Sequence, residues 1–290
     1  MGESPVFGEI MSKLLCTVLT NALVYVKEII GLILFQKEKI MKKVIVVMMA
    51  VVLWNTSVFA FDPMGPPTAG LKQGQYSIGI EHLRGEMDID YDNITVGGVS
   101  FGSLTLDDIK ITKAYANFGF GVTDNLEVFL RPGIVKDEDS DSGFAIGAGV
   151  KATFFESADG KGKWGILAQL SWASLEYDDE SGFVGATPVS ITNQEADIIE
   201  VQIALGPTYQ LDENISIYGG PFLHFINGDT DAIFTVSGVP YEASADIEQD
   251  SIFGGYIGME IKLAENTNGN IELQGTGSGY ALGAGLIWKF

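Results

Sequence analysis

From residue 61 onward apolar and polar side chains alternate with a period of two, segment after segment, and no apolar run approaches the eighteen residues of a spanning helix. That period belongs to strands, whose successive side chains point to opposite faces. The alternation divides into ten strands, at 74–87, 109–121, 125–136, 143–155, 163–177, 195–210, 214–227, 250–263, 269–275 and 279–290, with eight as the alternative count. In the fifth, Trp164, Ile166, Ala168, Leu170 and Trp172 share one face and Gly165, Gln169 and Ser171 the other. The third sets Leu126, Val128, Leu130 and Ile134 against Glu127 and Arg131.

Alternation alone fits a water-soluble sandwich as well as a membrane barrel. The connections separate the two. "VTDN", "ADGKGK", "LDEN" and "ENTNGN" are short and rich in residues that reverse a chain cheaply. Those at 88–108, 137–142, 178–194 and 228–249 are mostly long and acidic, and the two kinds alternate. A transmembrane barrel sorts its connections this way, with short periplasmic turns and longer extracellular loops, and brackets its apolar band with aromatic residues. Strands cross a bilayer only as a closed ring, since each backbone N–H and C=O must be paired inside the protein.

An export signal agrees. "MKKVIVVMMAVVLWNTSVFA", residues 41–60, has a basic start, an apolar centre too short for a comfortable span, and small Val58 and Ala60 before the expected cleavage point. The expected organisation is an upstream extension over 1–40, a signal peptide over 41–60, a short lead over 61–74 and a barrel over 75–290. A transmembrane reading of residues 14–35 would place Lys27 and Glu28 mid-span, which is costly. Cys16 is the only cysteine, so no internal disulfide forms.

The segment "YALGAGLIWKF" puts Tyr280, Leu282, Ala284, Leu286 and Trp288 on one face, and Phe290 follows. Here the chain resembles the bacterial outer-membrane β-barrel proteins, whose last strand ends in Phe with an aromatic two residues earlier. The broader likeness, over 75–290, is to small OmpA/OmpX-like or porin-like barrels. The resemblance implies an outer-membrane location, and it implies that Tyr280, Leu282, Leu286, Trp288 and Phe290 form the signal read by the barrel assembly machinery. Outer-membrane lipid and lipopolysaccharide are the implied surroundings.

The chain holds 38 acidic and 17 basic residues, which argues against a nucleic-acid partner. If the polar face is luminal it carries Glu81, Lys113, Glu127, Arg131, Lys151, Glu200, Glu260, Lys262 and Glu272. Two readings stand. These charges pair into a network that fills a narrow barrel, or their acidic excess lines a small cation path. A surface-binding role through the acidic loops is the alternative to a structural or porin-like one.

There are two histidines. His224 is luminal by parity, with Asp229 five residues on, but the Asp-x-His and His-x-Ser spacings of outer-membrane proteases and lipid-A-modifying barrels are missing, so no catalytic residue is nominated. His82 and Arg84 share the face of Ile78 and Ile80, and Arg84 should mark the outer headgroup level. The runs "DEDSD" (137–141) and "YDDE" (177–180) read as solvated acids, because the glycine placement and terminal glutamate of a calcium loop are missing. Nothing nominates a metal or a cofactor.

Overall fold

The computed structural model describes residues 61–137, 142–184, 187–236, 238–249 and 251–290. The expected signal peptide and upstream extension lie outside them, as does most of "DEDSD". The described residues form strands only: β1 (Tyr76–Val96), β2 (Val99–Thr123), β3 (Leu126–Asp137), β4 (Gly143–Glu156), β5 (Gly162–Tyr177), β6 (Glu180–Val184), β7 (Thr187–Gln210), β8 (Ile215–Val236), β9 (Val239–Glu248), β10 (Phe253–Ala264), β11 (Thr267–Thr276) and β12 (Gly279–Lys289).

Ten of the twelve make one antiparallel ring, β1-β2-β3-β4-β5-β7-β8-β10-β11-β12, and β12 closes it on β1 from Ser77↔Lys289 to Met87↔Gly279. The seam reaches the final residue: Phe290 N donates to Tyr76 O at 2.8 Å and Tyr76 N to Phe290 O at 3.2 Å. Closure leaves no unpaired edge to face lipid.

The outward face is apolar. Ile78, Ile80, Val128, Leu130, Ile166, Leu170, Ile257 and Leu273 are exposed in the isolated protein. Aromatic side chains bracket this band. Near the short turns are Tyr76, Phe154, Trp164 and Tyr209, with the Tyr76 and Phe120 rings 5.1 Å apart; toward the other end are Phe253, Tyr280 and the Phe144–Trp172 pair at 6.2 Å. The short turns thus mark the periplasmic end.

Much of what composition marks as long acidic loop is strand. β1 and β2 run about ten residues past the end of β12. They join at Gly97 and Gly98, with φ of 58° and 79°, the two-residue turn that needs a positive φ at both positions. The acids signalled loop, but they alternate: Asp88, Asp90 and Asp92 face solvent between Met87, Ile89 and Tyr91. β9 pairs with both β8 and β1, and β6 with β7, so a sheet in the order β6-β7-β8-β9-β1-β2 projects above the ring. Register shifts beside Asn93 (φ 51°) and Asn193 (φ 52°) bend its first and third long strands.

Candidate functional site: the filled lumen

The lead over 61–74 is not a tail. It turns in at the periplasmic rim, where Gly74 N donates to Gly121 O at 2.8 Å, and climbs the lumen backwards along the chain. Gly70 and Leu71 N–H donate to Glu127 Oε2 at 2.7 and 3.1 Å. Ala69 N donates to Thr153 Oγ1 at 3.0 Å, and the hydroxyls of Thr68 and Thr208 lie 2.8 Å apart. Met64 and Gly65 N–H each donate to Glu272, at 2.7 Å. Pro63 O accepts from Arg131 Nη1 at 2.5 Å and from Gln169 Nε2 at 3.3 Å. Asp62 O accepts from Gln274 Nε2 at 2.8 Å. Phe61 ends the climb fully buried, its ring 4.6 Å from that of His224 and edge-on to Phe222 at 5.9 Å.

The wall makes room for this strap by omitting side chains. A Cβ at Gly165 would sit 2.6 Å from Pro67 O, and one at Gly121 would collide with Lys72 O.

Two ionic clusters hold the middle of the lumen. Lys113 Nζ bonds Asp62 Oδ1 at 3.0 Å and also bonds Glu200; Asp62 accepts from Tyr115 OH at 2.8 Å, and Glu200 meets His224 Nε2 at 3.2 Å. Arg131 Nε lies 2.7 Å from Glu81 Oε2, with Nη1 donating to Gln169 at 2.8 Å and the cation 4.2 Å from the Phe129 ring. Lys113, Arg131, Glu81, Glu200 and Glu272 are each under 6% exposed. Charges this deep are tolerable only when partnered, and here the partners come from three places: opposite charges, Tyr and Gln side chains, and the backbone of the lead.

Of the nine luminal charges expected from parity, the structure joins Lys113 to Glu200 and Arg131 to Glu81, and gives Glu127 and Glu272 to the lead. Lys151 is buried 5.6 Å from the Phe129 ring, and with half-buried Glu260 it lines a cavity of about 230 Å³ at the inner mouth. Lys262 departs from the network: it is exposed at the periplasmic turn, beyond buried Ile261, where the β10–β11 pairing shifts register and parity stops reporting the face. Alternation put Gln169 on the polar face without marking it as a partner in the network, and Asp62, Gln202 and Gln274 likewise went unmarked. The signal for them was the lumen's unequal charge: Glu272 stands opposite Gly258 and Gly283 in register with no cation beside it, whereas Glu127 stands opposite Lys151.

Above His224 the lumen changes character. Met87, Ile89, Ile111, Val135, Leu175, Ile198, Ile226 and Ile247 form a buried apolar cluster across it. His224 itself is wholly buried beneath, between Glu200 and the aromatic rings. Among the described residues no group of His, Cys, Asp and Glu side chains converges on a metal position.

A closed ring with an apolar outward band, and with its charges buried inward on partners, fits a bilayer and not water. The chain is a transmembrane β-barrel of the bacterial outer-membrane type.

No family model matches the chain, and no curated protein matches it. Among solved structures this outer-membrane barrel is similar to the outer-membrane protease OmpT of Escherichia coli, at 9% identity and a TM-score of 0.47, with 79% of this chain and 99% of that one covered. It is also similar to OprG of Pseudomonas aeruginosa (14% identity, TM-score 0.34, 76% and 98% covered) and to the attachment invasion locus protein Ail of Yersinia pestis (13%, 0.27, 75% and 99%).

Proposed function

We propose that this outer-membrane barrel is a structural element whose lumen is sealed, with no open cation path at rest. The observation that carries the reading is the lead: Phe61 to Leu71 occupy the lumen and are bonded to Glu127, Glu272, Arg131, Gln274 and Lys113 along its length. Acid in excess of base, the premise of a cation path, is consumed by backbone N–H groups of the strap. In planar bilayers the chain beginning at Phe61 is expected to be silent, and cation-preferring conduction is expected only when removal of 61–71 is combined with Leu175→Ala and Ile247→Ala, which open the apolar cluster above. Steady conductance by the intact chain contradicts the reading.

A second reading, surface binding, is favoured by the projecting β6-β7-β8-β9-β1-β2 sheet, a rigid platform beyond the membrane band. Assembly by the barrel machinery through Tyr280, Leu282, Leu286, Trp288 and Phe290, and contact with lipopolysaccharide around Arg84, complete the proposal.

A further inference from the structure

The projecting sheet has two unlike faces. Its solvent face is acidic: register places Asp92, Asp246, Asp229 and Asp197 side by side across four adjacent strands. Segments 88–108, 178–199 and 227–253 together hold sixteen acidic residues and not one Lys or Arg. Its other face continues the lumen wall and is apolar. There Tyr91, Val96, Leu104, Leu106, Ile191 and Phe234 line a cavity of about 410 Å³, and Tyr91 also packs on the buried apolar cluster that floors it. Leu104 and Leu106 remain 52% and 40% exposed although they stand opposite Tyr91 and Ile89 in register, on the face that continues the lumen.

Concave, apolar, preformed and of this volume, the cavity has the character of a small-molecule site. The surrounding field selects among apolar molecules. Carboxylates this far in excess of base repel an anionic amphiphile and concentrate a cationic one. We propose that this cavity binds a small amphipathic cation from the outside, its apolar body against Leu104, Leu106 and Phe234 and its ammonium at the rim beside Asp231. The inference rests on the surface-binding reading and gives it a ligand class.

The test uses the barrel in zwitterionic nanodiscs, with empty nanodiscs as reference, and three probes of one shape titrated by calorimetry: 4-phenylbutylamine, butylbenzene and 4-phenylbutyrate. The amine is expected to bind tightest, the neutral probe more weakly and the acid least. Asp231→Asn is expected to weaken the amine by about three- to fivefold, the scale of one exposed ion pair, and to leave butylbenzene unchanged. Phe234→Ala is expected to weaken amine and neutral probe alike. Equal heats from all three probes, or amine binding indifferent to both substitutions, overturn the inference. Retained binding of polylysine in that event overturns this assignment alone; loss of polylysine binding as well overturns the surface reading with it.

Discussion

The inner and outer halves of the lumen are closed by opposite means. The inner half is filled by a separate strap of chain, and its order comes from charge and hydrogen bonding: Lys113 between Asp62 and Glu200, Arg131 on Glu81, and Glu272 on two backbone N–H groups. The outer half is filled by the wall's own side chains, Ile89, Leu175, Ile198 and Ile247 among them, in a buried apolar cluster. The first arrangement fails if one partner is removed, because the rest is left buried and unpaired. The second degrades in proportion to the volume lost.

The largest loss should follow Lys113→Ala, which takes from buried Asp62 and Glu200 the cation they share. About 3–5 kcal/mol of unfolding free energy is expected to disappear, read from the urea midpoint of the barrel in vesicles. Leu175→Ala, in the outer half, should cost about 2–5 kcal/mol through the cavity it leaves, while Ile247→Val costs about 0.5–1.5 kcal/mol. If Lys113→Ala costs less than Ile247→Val, the contrast between the halves collapses. Joint replacement sharpens it: Arg131→Met with Glu81→Leu should recover most of what Arg131→Met alone loses, since removing both charges leaves neither unpaired. Gly165→Leu should expel the strap from the inner half without touching the ring. The outer cluster should still close the lumen, so the barrel stays silent while residues 61–71 become accessible to protease added at the periplasmic side.

The smallest effect belongs to the periplasmic turn. Ser157 Oγ donates to Asp159 Oδ1 at 2.5 Å and Lys161 N donates to it at 3.1 Å, and these bonds hold the exposed Asp159 carboxyl below its usual range. A depressed carboxyl stabilises the fold above its unfolded pKa and loses that contribution as pH falls through the folded one. Asp159→Ala should therefore lower the melting temperature slightly at neutral pH and not at all in strong acid.

The spanning strands were legible because each alternates cleanly. Trp164 to Trp172, Phe144 to Phe154 and Tyr280 to Trp288 all face outward as their parity requires. The final pair, expected at 269–275 and 279–290, forms as β11 and β12 despite its tight "GTGSG" connection. Two things were hidden. The strand character of 88–96, 99–108 and 239–248 lay beneath an acidic composition that imitates loop. The role of "FDPMGPPTAGLK" was hidden because a strap has no period of its own: it takes its conformation from the walls it crosses. Its traces were indirect, in luminal Gly121 and Gly165, and in Glu272 standing opposite glycines with no cation in register.

The most direct measurement places the strap. Thr68→Cys with Thr208→Cys, in a chain beginning at Phe61 and so without Cys16, puts two thiols where hydroxyls now lie 2.8 Å apart. In folded barrels in membranes, mild oxidation should close this bridge within one chain, in nearly every molecule, and leave the barrel silent in planar bilayers. Thiols that stay free, or that link only between chains, contradict a lumen filled by its own N-terminal strap.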